Sequence, residues 1–417
     1  MAIKARLICM SFLQFFVWGA WMITIGVYWF QTKQWSGSEF GAIFSTLGIS
    51  SIFMPAITGI IADKWVNVEF LYGILHILFG CTFLYLPHVQ DPHTFFWVML
   101  LAMLFYMPTI ALSNSIAYIL LKKHRYDVVK DFPPIRVWGT IGFIAAMWIT
   151  DITHNKALAG QFYIAAIGAI GLGIYSFSLP SCPPLKSKAE NASLRGRLGL
   201  DAFKLFNHSK MALFFTFSMF LGGALQLTNM YGDAYLSDFA RIPAYAQSFV
   251  VQHSTIILSI SQISETVFIL AIPFFLKRFG IKQVMLISML AWVLRFGLLA
   301  YSDPINGLWM IILSCIVYGM AFDFFNISGS LFVETNAPIQ IRSSAQGLFM
   351  MMTNGFGAIL GSTISGYVIE HHFTEPNGQM MWQEIWICFA AYALVIAFLF
   401  SFLFKHKHQG NAQEEIN

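Results

Sequence analysis

The stretch Ser181–Asn207, SCPPLKSKAENASLRGRLGLDAFKLFN, decides the architecture, because it is the longest basic interruption in a chain that is otherwise a succession of apolar runs. Six runs precede it, near 5–30, 39–61, 69–88, 95–121, 136–152 and 159–180. Six follow, near 208–231, 253–277, 281–301, 306–333, 342–369 and 382–405. Each has about the 20 residues that cross roughly 30 Å of hydrocarbon as a helix. Hydrophobic residues make up 57% and charged residues 11% of the 417-residue chain, against about 45–50% and 25% in soluble domains, which leaves too little polar surface to cover a soluble core. The chain therefore reads as an all-α membrane protein with twelve transmembrane helices in two six-helix bundles. The bundles span 1–180 and 208–417, with 181–207 as the linker.

Orientation follows from charge. Of the 24 Lys and Arg residues, only Lys33, Lys156 and Arg241 fall in the segments opposite the termini, whereas Asp91, Asp151, Asp233, Asp238 and Asp303 gather there. The positive-inside rule then places both termini and the linker in the cytoplasm. Asn191-Ala-Ser193 matches a glycosylation pattern, but a cytoplasmic loop never meets that machinery. The basic start, Lys4 and Arg6, runs into the first span with no small-residue cleavage motif.

Two six-span halves joined by a basic loop is the layout of secondary transporters, whose substrate lies near the midplane between the halves. The echo between GIIADKW (Gly59–Trp65) and FFLKRFGIK (Phe274–Lys282), each closing a span with a charged turn, is the faint trace of a repeat. The five cysteines are scattered without a CxxC pair, and neither HExxH nor GxSxG occurs, so no metal, cofactor or enzymatic activity is expected.

A charge at the bilayer centre costs at least about 2.5–3.5 kcal/mol on insertion scales, so ionisable residues inside spans mark function. In ILSISQISETVFIL (Ile257–Leu270) Gln262 and Glu265 share one helical face, which should front a cavity rather than lipid. In VYGMAFDFFNISGS (Val317–Ser330) Tyr318, Phe322 and Phe325 form an aromatic stripe beside Asp323 and Asn326, suited to a flat polar solute. DFPPIRVWGTIGF (Asp131–Phe143) projects Arg136, Thr140 and Phe143 together, although an interfacial Arg snorkelling to water fits that position equally. LGGALQLTNM (Leu221–Met230) spaces Gln226 and Asn229 by three, either to read a ligand edge or to bond another helix. Arg295 reads as a structural ion pair or a lipid contact. Gln14, Trp18 and Trp21 read as an interface belt or inter-half packing, with a substrate contact as the alternative, and Gly357-x-x-x-Gly361 as a close helix contact.

At FPPIRVWGTIGF, LQLTNM, SISQISET and YGMAFDFFNISGS, and along SFLQFFVWGAW (Ser11–Trp21) and SSAQG (Ser343–Gly347), the chain resembles the bacterial nucleoside:proton symporter family of the major facilitator superfamily. The resemblance implies a monomeric symporter of the bacterial inner membrane. It would carry purine and pyrimidine nucleosides with protons, contact lipid and bind no nucleic acid. It also implies that Arg136, Thr140, Phe143, Gln226, Asn229, Gln262, Glu265, Tyr318 and Phe322 line the nucleoside site, with Glu265 or Asp323 carrying the proton. A sugar or oligosaccharide symporter of the same architecture is the alternative.

Overall fold

The computed structural model describes residues 2–184, 200–338 and 341–406; most of the linker, including Asn191–Ser193, lies outside them. Among the described residues nine helices are long and apolar enough to cross a membrane. One of these, Ser254–Ala300, holds two crossings, because Gly280 breaks it at φ 77°, a conformation that favours glycine. The seventeen-residue helix Gly160–Ser176 and a broken first crossing complete the twelve expected from sequence.

In chain order the crossings are α1 (Ile3–Gly19, continuing after a break as Ile25–Val27 and Tyr28–Lys33), α2 (Gly37–Lys64), α3 (Val68–Tyr85), α4 (Pro92–Lys123), α5 (Val128–Ile152) and α6 (Gly160–Ser176). The second half has α7 (Ser209–Asp238), α8 and α9 (the parts of Ile260–Ala300 before and after Gly280) and α10 (Leu308–Asn336). It ends with α11 (Arg342–Met350, Met351–Gly357 and Ala358–His372) and α12 (Trp382–Leu403).

Local chemistry sets the helix starts. Ser36 and Glu39 form a reciprocal capping box at α2. At α4, Asp91 accepts from Thr94 N–H at 2.7 Å, with Pro92 in the first turn. That N–H holds the exposed Asp91 carboxyl below its ordinary range.

The first crossing is not the continuous helix expected. At residues 20–24 the ladder opens without a proline, and side-chain hydroxyls bond the carbonyls there, of which Trp21 O also keeps the Ile25 N–H at 2.9 Å. Thr150 donates to Ala20 O at 3.0 Å and Thr24 to Trp21 O at 3.3 Å, while Thr24 also reaches Gln161 at 2.9 Å. A break at membrane depth is tolerated only where protein replaces the lost bonds in this way.

Gln14, Trp18 and Trp21 also depart from expectation. They face the interior of the first half, not a membrane interface or the other half. Gln14 is fully buried; its amide donates to Thr109 at 3.0 Å, and its side-chain oxygen meets Tyr72 Oη at 2.7 Å and His76 Nε2 at 2.9 Å. Trp18 packs edge-on against Tyr106 and Trp21 against Phe83.

Glycines set the helix approaches. In the first half, Gly19 and Gly142 bring α1 and α5 into backbone contact, since a Cβ at either would strike the carbonyl of Phe143 or Phe12. In the second, Gly357 and Gly361 of α11 press against Met219 and Gly223 of α7, the close contact that their spacing suggests.

Between the halves the contact is one-sided. Near the face opposite the termini, a Cβ at Gly41 of α2 would strike the Ser362 carbonyl, one at Gly48 would come 2.5 Å from the Gly355 carbonyl, and one at Gly26 2.8 Å from the Met230 carbonyl. Toward the face of the termini, a Cβ at Gly59 of α2 or Gly347 of α11 would meet nothing within 4 Å. The two helices touch at one end and part at the other.

Candidate functional site

Helix α8 divides into three faces. Ser261 and Ser264 are buried toward α10; Ser264 donates to the Ile316 carbonyl, and a Cβ at Gly319 would come 2.6 Å from Glu265 N. Ile263, Val267 and Leu270, at i, i+4 and i+7, are exposed in the outward stripe that lipid covers. Gln262 and Glu265 occupy the third face, toward the other half.

There the Glu265 carboxyl interacts electrostatically with the Arg136 guanidinium of α5, although no ion pair within 4 Å joins them. Arg136 does not snorkel. It lies 3.8 Å above the Phe15 ring, a cation–π contact worth about 0.5–2 kcal/mol. Gly139 leaves room for this stack, since a Cβ there would come 2.6 Å from Phe15 and 2.8 Å from an Arg136 nitrogen.

Asp323 is 4% exposed, and its Oδ2 has no hydrogen-bond partner among the described residues. It interacts with Glu265, and both carboxylates act on Tyr318. Tyr318 and Phe322 lie nearly parallel, 8° apart with centroids at 5.9 Å. Phe325 turns away, packing against Phe214 and Phe349 inside the second half.

The structure thus gathers Arg136, Glu265, Asp323, Tyr318 and Phe322 into one electrostatic and aromatic cluster. Thr140 and Phe143 continue the Arg136 helix, and the buried Gln226 holds a side-chain oxygen with no partner among the described residues, on the same helix as Asn229.

Arg295 corrects the sequence reading. It is neither a lipid contact nor part of an ion pair among the described residues. It is 1% exposed, donates Nη1 to the Ser314 carbonyl at 2.7 Å, and lies 4.7 Å from the centre of the Tyr318 ring.

A second cluster joins the halves at the face opposite the termini, where sequence had counted Asp151, Asp233 and Lys156 only as orientation charges. Asp151, at the end of α5, is 1% exposed; His253 Nδ1 lies 2.7 Å from its Oδ1, and Thr255 donates to Oδ2 through its N–H at 3.2 Å and through its hydroxyl. Lys156 donates to Ser254 at 2.9 Å and to the Val251 carbonyl at 3.0 Å, and Ser254 donates to Asp233 at 2.5 Å. Its one legible signal was two acids so close to apolar runs. Trp148 of α5 adds a bond to Ser259 at 3.0 Å. A separate hollow of about 420 Å³, bordered by Trp35, Asp238, Arg241 and Trp382, contains none of the candidate residues.

The profile of the nucleoside H+ symporter family matches residues 1–409. The chain is 50% identical to the nucleoside permease NupG of Escherichia coli (strain K12) over 409 residues, covering 98% of this chain and 97% of that one. It is 51% identical to the xanthosine permease of the same organism, with the same coverage. A crystal structure of nucleoside transporter NupG superposes with a TM-score of 0.91 at 50% identity, over 98% of this chain and all of that one. The six-plus-six helical architecture, the polar faces turned to one another across the halves and a match that runs almost end to end agree: this chain belongs to the nucleoside H+ symporter family.

Proposed function

We propose that the protein takes up purine and pyrimidine nucleosides together with protons across a bacterial inner membrane, as a monomer with both termini in the cytoplasm. The observation that carries this reading is the opposition of Arg136 and Glu265, one from each half, beside the Tyr318–Phe322 pair. A nucleoside offers a flat base and a ribose with vicinal hydroxyls. Phe143, Tyr318 and Phe322 enclose the base, and the amides of Gln226 and Asn229 read its edge. Gln262, Glu265 and Arg136, with Thr140 beside them, bind the ribose hydroxyls. The halves are assigned to 1–180 and 208–417, with 181–207 as the cytoplasmic linker between them.

Glu265 or Asp323 carries the proton. Two carboxylates held close in a low dielectric repel each other, and a proton on either removes the repulsion. Transport is coupled when protonation and nucleoside binding shift the balance between states open to opposite sides, because a ligand moves an equilibrium only by its differential affinity. In this orientation the Asp151 and Asp233 cluster would close the outer side and the parted ends of α2 and α11 would face the cytoplasm, which supports an inward-facing reading.

Uptake of radiolabelled uridine and adenosine into proteoliposomes under an inward proton gradient tests the reading. Saturable accumulation that collapses with a protonophore and is inhibited by unlabelled nucleosides but not by sugars is expected. Inhibition by sugars alone would reject it in favour of a sugar symporter.

A further inference from the structure

Among the described residues, Arg295 is a buried cation that forms no ion pair with an acid. A methionine of similar volume would fill its place, and replacing a buried charge with a well-packed apolar side chain is often neutral or stabilising. The charge is held instead by dipoles from three other helices. Nη1 bonds the Ser314 carbonyl of α10 at 2.7 Å and lies 3.5 Å from Ser261 Oγ of α8, while Nε lies 3.3 Å from Thr228 Oγ1 of α7.

Each partner adjoins a proposed nucleoside contact. Thr228 stands between Gln226 and Asn229, Ser261 precedes Gln262, and Ser314 is one turn before Tyr318. The Tyr318 ring carries the guanidinium on a face at 4.7 Å, Trp292 edge-on at 5.9 Å and 89°, and Phe322 parallel at 5.9 Å. Its hydroxyl has no hydrogen-bond partner among the described residues, so ring packing and the electrostatics of the nearby charges, the Arg295 cation the one lying over its face, hold the ring in place. A guanidinium fork is planar and rigid, so one side chain sets three helices in register.

We propose that Arg295 is a positioning residue for nucleoside binding: from behind the wall of the site it holds the Tyr318 ring, the Gln226–Asn229 face and the Gln262 face in the arrangement that receives the nucleoside, without touching it. The inference rests on the nucleoside reading above. It explains why the cation is retained where no acid among the described residues pairs with it, and it separates affinity from the proton step, which stays with Glu265 or Asp323.

The test uses the purified full chain, with the Kd for radiolabelled uridine in detergent and KM and Vmax in proteoliposomes, on Arg295→Lys, Arg295→Met, Tyr318→Leu and the Arg295→Met/Tyr318→Leu pair. Arg295→Met is expected to raise Kd and KM about tenfold with Vmax changed less than about threefold, the size expected of a desolvated cation–π contact. Arg295→Lys, which keeps a cation over the ring, is expected to recover most of the affinity. The double variant is expected to bind no more weakly than Tyr318→Leu alone, the non-additivity of residues acting as a unit. Monodisperse Arg295→Met protein with the unsubstituted Kd, or effects that simply add, would overturn the proposal. If Arg295→Met does not fold, Thr228→Val and Ser261→Ala decide: a rise in Kd of about threefold in each supports the proposal, and unchanged Kd overturns it. Absence of uridine binding by the unsubstituted protein would reject the nucleoside reading itself, an outcome that needs no variant to recognise.

Discussion

His253 Nδ1 lies 2.7 Å from Asp151 Oδ1, joining the end of α5 to the segment before α8 and so one half of the transporter to the other. Asp151 is almost wholly buried and also accepts from Thr255, so its carboxylate is satisfied only while the halves meet at this face. A hydrogen bond to a charged group is worth about 1.5–3 kcal/mol. Asp151→Asn keeps the shape and removes the charge, and is expected to move the population toward outer-side opening by about tenfold. Spin labels at Gln34→Cys and Asn377→Cys, with the five native cysteines replaced, read the separation across that face. A longer component should appear, and an unchanged distance distribution would show that the carboxylate does not hold the gate.

The α2–α11 contact makes a second prediction through its sign. Gly→Ala inside a helix ordinarily stabilises it by up to about 1 kcal/mol. At Gly59 and Gly347, where a Cβ meets nothing within 4 Å, Ala is expected to be neutral or mildly stabilising and to leave uptake intact. At Gly41 and Gly48 the Cβ would press on the backbone of α11, which cannot rotate aside. Ala there is expected to lower the uridine uptake rate at least about tenfold by preventing outer closure. Equal uptake by all four variants would dismiss the close approach as a determinant of the cycle.

The contrast between these positions marks what the sequence could disclose. The span count was legible because twenty-residue apolar runs have few other uses, and Glu265 stood out because a carboxylate in such a run needs a wet or paired face. The break at residues 20–24 was not legible, since no proline or glycine pair announces it and its repair comes from Thr150, more than a hundred residues away. Arg295 looked partnerless for the same reason: Thr228, Ser261, Ser314 and Tyr318 reach it from three other helices, and no local period connects them. The Gln14 network and the Asp151 gate were hidden likewise, since each joins polar residues that are unremarkable one by one.

Gln14 tests that hidden layer. Its side chain satisfies Thr109, Tyr72 and His76 together within the first half, and Tyr106 donates to its backbone carbonyl at 2.7 Å. Gln14→Leu fills the space but strands the Tyr72 hydroxyl and the His76 nitrogen, each an unsatisfied buried group costing about 1–3 kcal/mol. The expected result is a lower Tm of the detergent-solubilised protein with the uridine Kd of the folded fraction unchanged. A weakened Kd at unchanged Tm would instead place Gln14 in the site.

The proton step is tested by separating uphill transport from exchange. Glu265→Gln and Asp323→Asn keep the size and hydrogen-bonding capacity of each side chain but cannot take up a proton. If protonation of either group biases the conformational balance, removing it leaves a carrier that equilibrates nucleoside without accumulating it. Each variant is therefore expected to lose accumulation under an inward proton gradient, and Asp323→Asn to retain nucleoside exchange at zero gradient more fully, because in the proposed site Glu265 also binds ribose whereas Asp323 is assigned to the proton alone. In the unsubstituted protein, accumulation is expected to rise as the outside is made more acid than the inside; in the variants it should not respond. Accumulation by both variants would place the coupling proton elsewhere. Loss in only one would assign the proton to that carboxylate and leave the other as the charge whose repulsion makes proton binding favourable.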